Sequence, residues 1–174
     1  MRTATVTAMR ATLTVLAIVA LVVGASSCSL GEDEVPAKER EQQVVDVVSD
    51  AVPLVERALR ATKVEVGAGW GSCPGGIGHV YSGGGTLVAP ADGAAGQLEA
   101  VRSALTEAGF EDGTQAEGHV SVSRGEVDLD FQPSPARGKG AWKVSFSGPC
   151  KRYSGDDEDY VKAANLEPSR TLLP

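Results

Sequence analysis

Few of the residue types that build catalytic or metal sites occur in this 174-residue chain. It holds two histidines and three cysteines, and no Cys-x-x-Cys, His-Glu-x-x-His or Gly-x-Ser-x-Gly pattern can be read in it. Two isolated histidines do not make a zinc site. Without a nucleophile elbow or a paired-thiol motif, neither a standard hydrolase nor thiol-redox chemistry is indicated. The sequence therefore favours a non-enzymatic protein that needs no metal or other cofactor.

Positive charge is also scarce. Lysine and arginine together number 16 against 23 aspartates and glutamates, which gives a formal net charge of -7. Residues 1–27 hold two of the arginines and no acid, so their removal would bring the charge to -9. A strongly acidic surface repels nucleic acid and anionic lipid headgroups. Nucleic acid is therefore not an expected partner.

An apolar run long enough to cross a bilayer is missing. The most apolar run covers residues 11–25, whereas a membrane-spanning helix needs about 20 apolar residues. Two arginines precede this run and two serines follow it. A basic start, a short apolar core and small residues before a cut are typical of a secretory signal peptide. We therefore expect a signal peptide over residues 1–27, translated from Met1 or from Met9.

Two kinds of cleavage fit the residues that end this signal. Ala25, Ser26 and Ser27 suit an ordinary signal peptidase, which prefers small residues at the first and third positions before the cut. With Cys28 added, the same stretch resembles the lipobox of bacterial lipoproteins. The resemblance implies a diacylglycerol, with acyl chains such as palmitate, on Cys28 as the first mature residue. With its alanine-, glycine- and valine-rich composition, the chain resembles the small membrane lipoproteins of actinobacteria.

The cysteine count agrees with lipidation. An exported protein rarely keeps an odd free thiol, and Cys73 with Cys150 would form a disulfide if Cys28 carries the lipid. Two acyl chains make a stable anchor, whereas one binds a membrane only marginally. The expected location is the extracytoplasmic face of the cell membrane, with the lipid as the membrane contact.

The mature chain divides into three parts by composition. Residues 28–37 are the lipidated cysteine and a polar tether, residues 38–153 an α+β domain, and residues 154–174 an acidic tail with a short helix expected around 160–165.

Two amphipathic helices are predicted in the domain. The first covers residues 38–62, with Pro53 expected to kink or split it near 50–52. Its apolar face recurs at spacings of three and four: Val45, Val48, Val52, Val55 and Leu59. The second would be capped by Asp92 and stopped by Gly109. Its expected core face is Leu98, Val101, Leu105 and Ala108.

Alternation of apolar and polar residues predicts five strands: 63–70, 79–88, a hairpin that turns at Arg124 and Gly125, and 142–146. Strands of this kind indicate an antiparallel sheet with one solvated face. We therefore expect an α+β, two-layer sandwich of about five strands, with two helices on one face and one disulfide. That disulfide would close a loop of about 77 residues and contribute about 4 kcal/mol.

Polar side chains of the predicted hairpin offer the few candidate chemical groups. His119 and Ser121 share the solvated face, and Asp128 or Asp130 could complete a triad across the hairpin, although no oxyanion hole is indicated. With Glu126, the two aspartates also place three carboxylates on one strand face, where Ca²⁺ or acid-base chemistry is conceivable. Solvated surface charge is the preferred interpretation of the three carboxylates, and the triad, on an open sheet face, is the less favoured hypothesis.

The sequence as a whole predicts a lipid-anchored, non-enzymatic envelope protein that binds a protein partner or ligand. The solvated sheet face and the loops at 71–78 and 132–140 are the expected contact surfaces. Two alternatives remain open: a small extracytoplasmic hydrolase that uses the hairpin residues, and a carrier of apolar ligands with a pocket between helices and sheet.

Overall fold

Seven antiparallel strands form one open sheet in the computed structural model, which describes residues 34–91 and 93–173. The helices are α1 (Ala37–Leu59), α2 (Ala94–Glu107) and α3 (Gly155–Ala164). The strands are β1 (Lys63–Ser72), β2 (His79–Val88), β3 (Glu111–Asp112), β4 (Val120–Arg124), β5 (Val127–Pro133), β6 (Ala141–Ser147) and β7 (Arg170–Leu173). Their order across the sheet is β3-β4-β5-β6-β2-β1-β7.

The α+β class, the antiparallel sheet and the disulfide are confirmed, but the expected counts of five strands and two helices are wrong. The segment 154–174 is expected from the sequence to be an acidic tail with a short helix around 160–165. It contains helix α3, which begins earlier, at Gly155, and strand β7, which joins the edge of the sheet and is absent from the prediction. The missed strands β3 and β7 have two and four residues, too few to show a period of two. The third helix buries only Val161, so its sequence shows little of an apolar face and the predicted helix is too short.

Helix α1 runs without a break through Pro53, so the predicted split is wrong. Proline removes the backbone N–H that would bond the carbonyl four residues earlier. That carbonyl belongs to Ser49, which is exposed, so water can replace the missing donor. The helix ends at Arg60, which adopts a left-handed conformation.

The buried face of α1 differs slightly from the predicted one. Val44 is fully buried and Val45 is only half-buried, while the remaining predicted positions are buried as expected. Two charged residues, Arg40 and Glu41, lie on the same buried face near the start of the helix. A charge in such a place needs a partner inside the protein.

Helix α2 begins after Gly93, the N-cap residue; Asp92, the predicted cap, lies outside the described residues. Val101 and Leu105 are fully buried as predicted, but Leu98 is only half-buried and Ala108 is exposed. Gly109 follows the helix with a φ of 86°, which confirms it as the stop.

The two faces of the sheet differ in chemistry. One face joins the helices in a single apolar core, to which the central strands contribute large side chains such as Trp142, Phe131 and Phe146. The other face carries small and polar residues. One row across five strands reads Gly67, Gly84, Ser145, Asp130 and Ser121.

Three consecutive glycines in β2 are required by close strand contacts. A Cβ atom on Gly85 would lie 2.9 Å from the Cα of Val66 and would overlap the carbonyl of Glu65. One on Gly83 would lie 2.8 Å from the ring of Phe146. The centre of the sheet is therefore closed to any residue larger than glycine at these two positions.

Among the described residues, no helix combines the length and the apolar character needed to span a bilayer.

Candidate functional site

The two cysteines predicted to pair, Cys73 and Cys150, are joined by a disulfide. It links the loop after β1 to the segment after β6. Beside it, His79 and Lys151 exchange two backbone hydrogen bonds, at 2.8 and 3.0 Å. This end of the sheet is thus closed by covalent and backbone links. Cys28, the predicted lipidation site, lies outside the described residues.

The hairpin residues of the hydrolase hypothesis lie on the sheet face opposite the helices. His119 Nε2 is 3.7 Å from Asp130 Oδ2, and Ser121 is the cross-strand partner of Asp130. Asp128 instead faces Ser123. In the described part of the chain, no hydrogen bond joins the Ser121 hydroxyl to His119. A nucleophile needs such contact with its base, so the face brings these groups near each other without activating the serine.

The three hairpin carboxylates do not share one face. Glu126 lies in the turn, where it binds Arg40 at 2.8 Å and Lys151 at 3.0 Å. The hydrogen bond from Lys151 is the main cause of a lowered pKa for the Glu126 carboxyl. Glu126 therefore ties α1 to the disulfide end, while Asp128 and Asp130 stay on the outer face. No group of three metal-binding side chains occurs among the residues that the structure describes.

A buried carboxylate on α1 forms the most elaborate polar site of the described chain. Glu41 is 9% exposed. It accepts hydrogen bonds from Trp70 Nε1 at 3.0 Å, from the Tyr160 hydroxyl at 2.7 Å and from Arg170 Nη2 at 2.8 Å. The donors come from β1, α3 and β7, so one carboxylate joins four elements. We call Glu41 and these three donors the Glu41 site.

Aromatic side chains surround this carboxylate. All three tyrosines of the chain lie here beside Trp70, whose ring meets Tyr81 edge-on at 5.4 Å and Tyr153 at 5.5 Å between centroids. Burial, together with the hydrogen bond donated to Glu41, raises the pKa of Tyr160 to about 12. Burial also raises the pKa of Tyr81, and the charge of Glu41 adds to that effect. Both phenols therefore remain neutral at physiological pH.

The Glu41 site borders a cavity of about 140 Å³, which Gly69 and Pro168 help to line. A carboxylate between aromatic rings suits a guanidinium or ammonium group, because the ring faces and the acid both attract a cation. Arg170 supplies such a group from within the chain. The site thus binds a cation, the guanidinium of Arg170.

No protein-family model, curated protein or solved structure matches this chain.

Sequence reasoning missed the Glu41 site, although one signal was present. Glu41 precedes Val44 by three positions and Val48 by seven, so it falls on the apolar stripe of α1. A single acid on such a stripe indicates a buried partner. Its partners could not be identified from the sequence, since Trp70 and Tyr160 lie 29 and 119 residues further along.

Proposed function

We propose that this chain is a lipid-anchored, non-enzymatic protein of the bacterial cell envelope that binds a protein partner or ligand on the extracytoplasmic side of the membrane. One observation carries the proposal. Cys73 and Cys150 pair with each other, which leaves Cys28, directly after the signal-like residues 1–27, as the one cysteine outside the disulfide. A structural disulfide also favours an oxidising compartment over the cytosol.

The position of α1 supports a short tether. The helix begins at Ala37, nine residues after Cys28, and nine residues span at most about 30 Å when fully extended. The backbone N–H of Ala37 bonds Asp157 at 3.1 Å, and Arg40 in the same turn binds Glu126. Helix α1 therefore starts at the disulfide end of the sheet. In an anchored molecule this end faces the membrane.

This orientation separates the two loops that the sequence predicts as contact surfaces. The loop 71–78 lies at the disulfide end and carries the half-exposed Ile77. The loop 132–140 lies at the opposite end, where β6 begins beside the end of β2. In the proposed arrangement the second loop points away from the membrane, toward soluble partners. The Glu41 site lies at the β7 edge of the sheet, toward the disulfide end, because Glu41 is near the start of α1 and Trp70 is near the end of β1.

The two alternatives have less support. A hydrolase would need contact between Ser121 and His119, which the described geometry lacks. A carrier would need an apolar chamber. The space between α1 and the β1 edge has a volume of about 480 Å³, but Glu56, Lys63 and Glu65 line it together with Val52 and Leu173.

Membrane fractionation of cells that process lipoproteins tests the anchor. Wild-type protein should partition into detergent with the membranes, and the Cys28→Ser variant should be released to the soluble fraction. Ser29→Ala is the matched control, because it changes the residue next to Cys28 but keeps the cysteine and the disulfide, and it should stay in the membrane. Equal membrane retention of wild type and Cys28→Ser would refute the lipid anchor.

A further inference from the structure

Strand β1 is much longer than β7, the edge strand that pairs with it, so most of its outer edge has no partner strand among the described residues. β1 has ten residues, and within the described chain β7 pairs with only three of them, Val66, Gly67 and Ala68. The register shifts between Val66 and Gly67, so even this short ladder is irregular. Uncovered backbone groups on a sheet edge are a template for another strand. A longer segment could therefore form more hydrogen bonds to β1 than β7 does.

Arg170 shows which side chain this edge accepts. As the partner of Ala68, it points to the helix side of the sheet. Its side chain is 63% exposed, whereas the Glu41 side chain that it binds is 12% exposed. The guanidinium thus reaches a buried acid from the solvent side. A charge-assisted hydrogen bond of this kind is stronger and more selective than a neutral one.

The surroundings of the edge are acidic. The space of about 480 Å³ between α1 and the first half of β1 is lined by Glu56, Glu65 and Lys63. Lys63 pairs with Glu65 at 3.4 Å, so Glu56 is the unbalanced charge there. Glu167 lines the smaller cavity beside Glu41. The charge along the edge, like that of the whole chain, favours a basic partner.

We propose that the edge of β1 and the Glu41 site together dock an extended segment of a partner protein that carries an arginine, and that β7 with Arg170 fills this place as an internal substitute. The partner segment pairs with β1 by strand addition, and its arginine binds Glu41 between Trp70 and Tyr160. This inference rests on the binding role proposed above and names its partner chemistry. It does not depend on the lipid, so its failure would leave the anchor standing.

A peptide with the chain's own sequence 166–174 is the probe, because it contains β7, whose residues Arg170, Thr171 and Leu173 pair with β1. Arg170 of the chain itself competes with the peptide for Glu41 at high effective concentration. The receptor is therefore the full chain in detergent with the substitution Arg170→Ala. Binding is followed by the indole N–H resonance of Trp70, which reports directly on Glu41. We expect saturable binding at millimolar peptide or below, and a shift of that resonance toward its wild-type position.

Three comparisons make the result specific. A peptide with alanine or citrulline at the arginine should bind at least about tenfold more weakly, as expected for the loss of a charged hydrogen bond. Arg137→Ala is the control for the loss of an arginine elsewhere on the domain. This variant and the wild type both keep Arg170, so both should bind the arginine peptide more weakly than the Arg170→Ala chain does, and with equal affinity. Glu41→Gln added to Arg170→Ala should abolish the preference for arginine.

Equal affinity of the arginine and citrulline peptides for the Arg170→Ala chain would overturn the proposal, and so would an absence of binding at millimolar peptide. The substitutions in the peptide keep the test decisive even if Glu41→Gln fails to fold.

Discussion

Glu41 and Trp70 are joined by a hydrogen bond of 3.0 Å in a place almost closed to solvent, with Trp70 7% and Glu41 9% exposed. An indole N–H that loses its acceptor in such a place cannot recover it from water without disturbing the core. The pair therefore contributes to stability as well as to the shape of the Glu41 site.

Replacement of Glu41 should be costly. Glu41→Ala leaves the buried indole donor of Trp70 and the partly buried hydroxyl of Tyr160 without their acceptor. We expect the free energy of unfolding to fall by about 2–3 kcal/mol in urea denaturation. Glu99→Ala is the control, because Glu99 is exposed and pairs with Arg102 on the surface of α2. That change should cost no more than about 0.5 kcal/mol. Similar losses for the two variants would show that Glu41 is not the organising acceptor.

Alkaline pH should weaken the fold through Tyr160. Its pKa is raised from the usual 10.0 to about 12 in the folded chain, so the folded state holds this proton more tightly than the unfolded state does. The contribution to stability is complete below pH 10 and is lost as the pH rises through about 12. Tyr160→Phe should flatten the decline of stability over this range without removing it, because Tyr81 shifts in the same direction. An unchanged slope would contradict the assignment.

The close strand contacts predict opposite results for two glycines of the sheet. Gly85→Ala places a Cβ 2.8 Å from the carbonyl carbon of Glu65 and should cost about 2 kcal/mol or more. Gly71→Ala meets no atom within 4 Å, so it should be neutral or slightly stabilising. Thermal unfolding of the two variants separates these outcomes. If Gly71→Ala lowered the stability as much as Gly85→Ala, close contact at Gly85 would not be the cause of the loss.

The disulfide should contribute strongly to stability. It joins residues 77 apart, and a cross-link of that span restricts the unfolded chain enough to contribute about 4 kcal/mol. We expect the Cys73→Ala, Cys150→Ala double variant to unfold at markedly lower urea, and addition of a reductant to bring the wild type to the same midpoint. If reductant changes the wild type but leaves the double variant less stable still, the substitutions have disturbed packing beyond the lost bond.

The parts of the fold that follow a regular period were predictable from the sequence. The hairpin β4–β5 has its turn at Gly125 and its apolar residues on the core face, as the alternation of Val120 to Phe131 predicts. Helix α2 stops at Gly109 for the reason its sequence suggests. Pro53 misled the prediction, because the rule that it breaks helices does not include the exposure of Ser49, which lets water take the place of the lost donor.

The Glu41 site depends on tertiary contacts that no local pattern encodes. β7 has only the residues Arg170–Leu173, and its place beside β1 is set by backbone pairing and by the bond from Arg170 to Glu41, 129 residues away. Trp70 follows the alternation of apolar and polar residues in β1, so the sequence predicts only that its side chain is buried in the core. The hydrogen bond that gives it a further role becomes visible only when α1 crosses the sheet.

The lipid anchor is the central claim, and the mass of the mature N-terminal peptide tests it most directly. For protein extracted from membranes of its own host, we predict a chain that begins at Cys28 and carries the added mass of a thioether-linked diacylglycerol. A chain that begins at Cys28 with an unmodified thiol, or one that begins elsewhere with Cys28 unmodified, would contradict the account.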